Sequence, residues 1–249
     1  DEKADESGNV MMTKVDLGQA ASYEVSDDGL VYTFKIREDA KWSDGEPVKA
    51  QDWVYSWQRL VDPNTASDYG YFLDGIVVNA AEIQAGEKDP SELAIKAVDD
   101  STLEITLCQD TPYFIEMCAF ASLMPLREDV VEGNENWTDP ENIVVNGPYI
   151  LSEWTHDSVI KMVPNEQYYD VANLGPAEID WYLSADETAI LSAYQSGEWA
   201  FIESFPTDMI SSLQDSGDCF IDPYVGTYFL YLTAISSRIG ESEQLWYSA

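Results

Sequence analysis

Basic residues are scarce in this chain. Its 249 residues include 12 lysines and arginines against 47 aspartates and glutamates, for a formal net charge of -35. A surface with this charge repels polyanions at ordinary salt concentrations, which argues against nucleic acid and anionic membranes as partners. The acidity favours solubility and says nothing about the fold.

Histidine and cysteine are also rare. One histidine, His156, and three cysteines, Cys108, Cys118 and Cys219, cannot form a zinc-type Cys/His cluster. Cys108 and Cys118 either pair as a disulfide or remain buried free thiols. His156 falls in a predicted hairpin tip with no nucleophile motif nearby, so no Ser/His/Asp triad is predicted. No glycine-rich phosphate loop is present either.

Long apolar runs are missing as well. No stretch approaches the roughly 20 apolar residues that a membrane-spanning helix needs. The first six residues are mostly charged and do not resemble a secretion signal, so any export signal was removed or lies outside this sequence. A hydrophobic content of 45% is nevertheless enough for a packed core, which predicts a folded α/β or α+β protein.

The first half predicts a sheet with a helix. Residues 23–36 predict two antiparallel strands joined at Asp28-Gly29, because glycine adopts positive φ cheaply. A helix with an aromatic stripe, including Trp53 and Trp57, is predicted to end at Asp62-Pro63. Two further strands are predicted at 95–98 and 103–107.

The second half changes character after the polar segment 133–142, which looks like a crossing point between lobes. Strands alternating with helices favour an α/β lobe. The predicted strands lie at 149–154, 159–163, 178–183, 201–203, 220–224 and 228–232, and the predicted helices at 187–195 and 206–213.

Several segments together resemble one family, the oligopeptide- and dipeptide-binding proteins of ABC importers. The resemblance runs in order from about residue 16 to about residue 233, and its oligopeptide-binding branch fits better than the dipeptide or nickel branches. The matching blocks are 26–34, 40–48, 54–60, 62–67, 85–93, 112–114, 142–149 and 222–228.

This resemblance implies a periplasmic-binding-protein-like α/β fold of type II, the peptide-binding class, in incomplete form. The family has two lobes around a cleft, with a small extra domain on the first lobe. Residues 1–22 would then be a polar lead-in, 23–143 the small α+β domain, and 144–233 the central part of the first lobe. Residues 234–249 match nothing expected there, and the second lobe is absent.

The implied function is that of an extracytoplasmic solute-binding component that captures oligopeptides for import. Its partners would be an oligopeptide and the membrane permease subunits of an ABC importer, with no nucleic acid. A lipid anchor outside this chain would be the sole direct attachment to the membrane. The resemblance implies no enzyme activity, catalytic residue, metal or cofactor.

Aromatic segments at two places are predicted to line the first-lobe side of the cleft. Roomy pockets with aromatic walls suit binding of peptides without sequence preference, although ordinary core packing is an equal alternative for each ring. By resemblance, the candidate ligand-binding residues are Tyr69, Tyr71, Phe72, Tyr224, Gly226 and Tyr228.

Three alternatives remain open at this stage. The same fold could take a different small solute, or the chain could be an acidic hydrolase using Asp99 with Asp100 or Glu203 with Asp208. The third alternative is that this chain alone binds no ligand, since half a cleft would not enclose a small ligand well enough to hold it. One local departure from the family is Lys49 at a helix N-cap, which costs about 1 kcal/mol that Asp52 is expected to offset in part.

Overall fold

The computed structural model describes residues 16–219 and 221, together with the backbone of two short strands near the start of the chain. Those strands, β1 (Glu2–Ala4) and β2 (Val10–Met12), pair antiparallel. The polar lead-in therefore contains a small ladder that its sequence did not indicate.

The main sheet has four antiparallel strands in the order β3-β4-β6-β5. They are β3 (Ala20–Val25), β4 (Val31–Ile36), β5 (Ile95–Asp99) and β6 (Thr102–Thr106). The turn between β3 and β4 contains Gly29 at φ 74°, as the Asp-Gly pair predicts. Both hairpins predicted for this half of the chain are confirmed.

Helix α1 (Ala50–Val61) packs against this sheet. At its start the Asp52 carboxylate accepts hydrogen bonds from the Lys49 backbone N–H at 2.9 Å and from the Trp42 indole at 3.0 Å. Burial raises the pKa of Asp52, and these two hydrogen bonds oppose that shift. Asp52 thus provides the compensation expected for a lysine N-cap.

The core lies between α1 and the main sheet. Trp57, with 1% of its surface exposed, and Phe114, with none, meet edge to face at 6.4 Å, and Phe114 meets Tyr32 at 4.8 Å. The Trp57 indole donates to the Leu123 carbonyl at 2.9 Å, which satisfies the buried N–H. Short helices close the core: α2 (Ala80–Gln84), α3 (Phe114–Met117) and α4 (Glu128–Val131).

A second antiparallel sheet follows, in the order β7-β8-β9. Its strands are β7 (Tyr149–Thr155), β8 (Val159–Pro164) and β9 (Ile179–Tyr182), and helices α5 (Glu187–Gln195) and α6 (Ile210–Ser216) come after them. The predicted strand at 201–203 is wrong, since these residues belong to no strand and Phe201 is 69% exposed. A short apolar run needs a neighbouring strand to pair with.

Hydrogen bonds join segments that flank the two sheets. The Ser43 N–H donates to the Val145 carbonyl at 2.7 Å, and the Gln19 side chain donates to the Asn146 carbonyl at 2.9 Å. The Arg37 guanidinium lies 3.9 Å from the centre of the Tyr169 ring. Within the described part of the chain, every helix is too short or too polar to cross a bilayer.

Candidate ligand-binding site

The predicted aromatic residues Tyr69, Tyr71 and Phe72 lie in and just before a single 3₁₀ turn, Gly70–Leu73. Ser67 fixes the start of this turn, because its hydroxyl oxygen accepts the Tyr69 backbone N–H at 3.2 Å. Leu73, fully buried, anchors its end in the core. The turn therefore holds its aromatic side chains at the edge of the main core.

Phe120 completes this group, which we call the aromatic cluster: Tyr69, Tyr71, Phe72 and Phe120. Phe120 stacks on Phe72 with ring centres 4.5 Å apart and meets Tyr69 edge to face at 4.9 Å. Tyr69 and Tyr71 lie 6.4 Å apart, and they are 44% and 61% exposed. A rigid base of two phenylalanines thus supports two tyrosines that remain accessible to a ligand.

Gly70 allows a close approach between this turn and α2. A Cβ at this position would collide with the Gln84 side-chain amide, which donates to the Val61 carbonyl at 2.8 Å. The turn therefore packs directly against the Gln84 side chain at the end of α2.

The charges beside the aromatic cluster are negative. Asp68 and Asp74, at either end of the turn, are both exposed. Partial burial raises the pKa of Asp74. This surface suits apolar or cationic groups and disfavours an anion.

An apolar cavity of about 370 Å³ lies elsewhere, between the main sheet, α1 and the start of the second sheet. Trp53, Phe34 and Tyr169 are among its walls, whereas Tyr69, Tyr71 and Phe72 do not line it. Two buried polar atoms beside it, Gln19 Oε1 and Asn146 Nδ2, have no hydrogen-bond partner in the described part of the chain.

Cys108 and Cys118 form no disulfide with each other, so the disulfide alternative is wrong. Cys108 is exposed, contrary to the expectation of a buried thiol, and lies two residues beyond the end of β6. Cys118 lines the apolar cavity, and burial raises its pKa to about 12, so it stays protonated at neutral pH.

The carboxylate pairs considered for hydrolysis have ordinary structural surroundings. Asp99 accepts hydrogen bonds from Ser101 and Thr102 in a turn, which lower its pKa, and Asp100 lies 3.7 Å from the Lys49 ammonium. Glu203 and Asp208 share no hydrogen bond. His156 is exposed at the hairpin tip between β7 and β8, as predicted, and its ring lies tilted against Trp154 with centres 4.3 Å apart.

Tyr224, Gly226 and Tyr228 lie outside the described residues. Phe120 was missed from the sequence because it is distant along the chain and its segment carries no motif of its own. The structure brings the predicted turn and Phe120 together through the core that Phe114 and Leu123 share.

A model of the family described as bacterial extracellular solute-binding proteins, family 5 middle, matches residues 14–234. The chain belongs to this family. Among its relatives, the periplasmic oligopeptide-binding protein OppA of Salmonella typhimurium is 39% identical over 217 residues. A probable deoxycholate-binding periplasmic protein of Escherichia coli, YgiS, is 38% identical over 188 residues.

Solved structures agree with this family 5 membership. The murein tripeptide binding protein MppA of Escherichia coli superposes with a TM-score of 0.77 at 36% identity, covering 87% of this chain and 42% of MppA. The type II periplasmic-binding-protein fold predicted from the sequence is therefore confirmed. The match to OppA covers 85% of this chain and 40% of OppA. The match to YgiS covers 74% of this chain and 35% of YgiS. This family 5 chain thus spans about two fifths of the length of these relatives.

Proposed function

We propose that this chain is part of an extracytoplasmic binding protein that captures oligopeptides for an ABC importer. The aromatic cluster carries the proposal, since it presents two accessible tyrosines on a rigid base in a chain of this family. Such rings contact varied side chains through apolar area and need no particular sequence. The negative charges of Asp68 and Asp74 would favour a ligand's cationic groups.

In this proposal the chain supplies one side of a cleft. Residues 23–143 form the small domain that carries the aromatic cluster, and residues 144–233 form the central part of the first lobe. Tyr224, Gly226 and Tyr228 line the same side. Closure of the opposite lobe shifts the population toward a closed state, which docks on the permease. The binding protein acts without bond chemistry, metal or cofactor.

The experiment is calorimetric titration of mixed tri- to pentapeptides into the longest gene product that contains this sequence. Tyr71→Ala is expected to weaken binding about tenfold, or about 1.4 kcal/mol, while Tm changes by less than about 2 °C because the side chain is largely exposed. Tyr113→Ala is the matched control, because Tyr113 is 55% exposed and makes no ring contact with the aromatic cluster. Unchanged affinity in the Tyr71 variant would contradict the assignment.

A second candidate ligand is an apolar small solute such as a bile acid. The similarity to YgiS and the apolar cavity beside α1 favour it. Deoxycholate in the same calorimetric experiment separates the two candidates, since a peptide receptor gives heat with peptides alone. The 249-residue chain by itself is expected to retain no peptide in equilibrium dialysis, because half a cleft leaves a ligand exposed.

A further inference from the structure

A second, smaller pocket of about 270 Å³ lies on the other side of α1. The end of α1 contributes Arg59 and Leu60, the following loop contributes Ser67, and Met124 and Trp137 close the remaining walls. None of the four residues of the aromatic cluster lines it, although it adjoins the cluster through Ser67, which accepts the Tyr69 N–H.

Arg59 differs from the other two arginines in the described part of the chain. Arg37 pairs with Asp39 at 2.9 Å, and Arg127 pairs with both Asp44 and Asp129. Arg59 has no carboxylate within 4.0 Å among the described residues and no hydrogen bond there; its guanidinium carbon lies 6.0 Å from the Trp137 ring. Acidic residues outnumber basic ones almost fourfold, so an arginine without an acidic partner stands out.

Three hydroxyl groups with spare hydrogen-bonding capacity line the same pocket as this guanidinium. Ser67 accepts the Tyr69 N–H and still has its own proton to donate. Thr65 and Ser122 also line the pocket, and their side chains make no hydrogen bond with the described residues. Ser56 is excluded from this role, since its hydroxyl donates to the Met124 carbonyl at 2.7 Å.

The remaining walls are apolar. Leu60 is buried, and Met124, Leu126 and Trp137 provide thioether, branched and aromatic surface. One cationic fork and several hydroxyl donors at an apolar pocket match a carboxylate on an apolar body, because guanidinium binds a carboxylate through two parallel hydrogen bonds.

We propose that the pocket around Arg59 binds small organic carboxylates with an aromatic or branched apolar body. The carboxylate pairs with the guanidinium, the Thr65, Ser67 and Ser122 hydroxyls donate to its free lone pairs, and the apolar body packs on Trp137 and Met124.

The strong net negative charge of the protein does not prevent this binding at physiological salt. Charges more than about 8 Å away are largely screened there, whereas a contact pair is screened much less. Glu132, which follows the adjoining helix α4, accepts the Tyr55 hydroxyl at 2.7 Å and makes no ion pair with Arg59.

The test uses benzoate as the probe and neutral benzamide, which has the same shape, as its control. Titration into the ¹⁵N-labelled chain at about 0.15 M salt should shift the Trp137 indole resonance, with a Kd for benzoate on the order of 1 mM. Benzamide should bind at least about tenfold more weakly, because it lacks the charge that Arg59 recognises.

Arg59→Gln should weaken benzoate binding at least about tenfold. The affinity of Arg59→Lys for benzoate should lie between those of the unmodified chain and Arg59→Gln, since lysine keeps the charge and loses the two parallel hydrogen bonds of the guanidinium. Lys96→Gln is the matched control: it changes the net charge equally at an exposed site paired with Glu104, and should alter affinity less than about twofold.

Equal affinity for benzoate and benzamide in the unmodified chain would overturn the proposal without any variant. The same holds if Arg59→Gln binds benzoate normally, or if 20 mM benzoate, about twenty times the expected Kd, leaves the Trp137 resonance unmoved.

Discussion

The region around the main sheet and the region around the second sheet differ in how completely they bury their apolar residues. In the first, residues 20–131, the continuous core runs from Tyr32 to Leu123. In the second, residues 149–216, four apolar residues are buried, Val159, Ile190, Leu191 and Leu213, and none of them joins that core.

Large aromatic residues of the second region remain on the surface. Trp181 is 48% exposed, Tyr182 51% and Phe201 69%. The first region therefore has the burial of an independent folding unit, while the second has apolar surface that the described residues leave uncovered. We infer that the stability of the chain resides in the first region, which also carries the aromatic cluster and the Arg59 pocket.

The largest expected effect comes from removing one tryptophan in each region. Trp57→Ala deletes a fully buried ring and its hydrogen bond to Leu123, which should lower the free energy of unfolding by about 3–5 kcal/mol. Trp181→Ala should cost less than about 1 kcal/mol, because its ring is half exposed. Urea unfolding followed by circular dichroism measures both, and equal losses would contradict the comparison.

Two glycines provide a smaller, matched test. Gly29 and Gly197 both have positive φ, 74° and 78°, so alanine at either should cost about 1–2 kcal/mol in backbone strain. At Gly29 the new Cβ would also lie 2.8 Å from the Asp110 carboxylate, whereas at Gly197 it would meet open space. The same urea experiment should therefore show the larger loss for Gly29→Ala, by up to about 1 kcal/mol.

The smallest effect concerns pH and Asp52 in the first region. Burial raises its pKa in the folded state, so its contribution to stability is full below the unfolded pKa of about 3.9 and is lost as pH rises through the folded pKa. Stability relative to Asp52→Asn should therefore increase as the pH falls from 7 toward 4, by less than about 1 kcal/mol.

Thermal melts of both proteins across this pH range measure that difference. Asp39→Asn is a useful control, because pairing with Arg37 lowers the pKa of Asp39 and should give the opposite trend. If the wild-type protein instead loses stability relative to Asp52→Asn as the pH falls, burial is not the main influence on the pKa of Asp52.

Much of the fold was predictable because its signals are local. Helix α5 spans the predicted residues 187–195, and Asp186 caps it by accepting the Thr188 and Ala189 N–H groups. The prediction of a strand at 201–203 was wrong because strand pairing is not a local property. An apolar run carries no information on whether a partner strand lies beside it.

The candidate sites also divide into features that local sequence signals predict and features that depend on long-range contacts. Tyr69, Tyr71 and Phe72 followed from a family resemblance, and their turn depends on residues close in sequence. Three features could not be predicted from the sequence, because each depends on segments far apart along the chain. They are the contact of Phe120 with the turn, the cavity beside Trp53 and the lack of an acidic partner for Arg59.

The sequence by itself determined the charge, the main turns, α1 with its aromatic stripe, and the family. Only the tertiary structure decided which rings meet, which thiols are exposed and which arginine among residues 16–219 lacks an acidic partner. The physical reason is range: propensity, capping and turn chemistry act over a few residues, whereas burial and charge pairing depend on the whole packed chain.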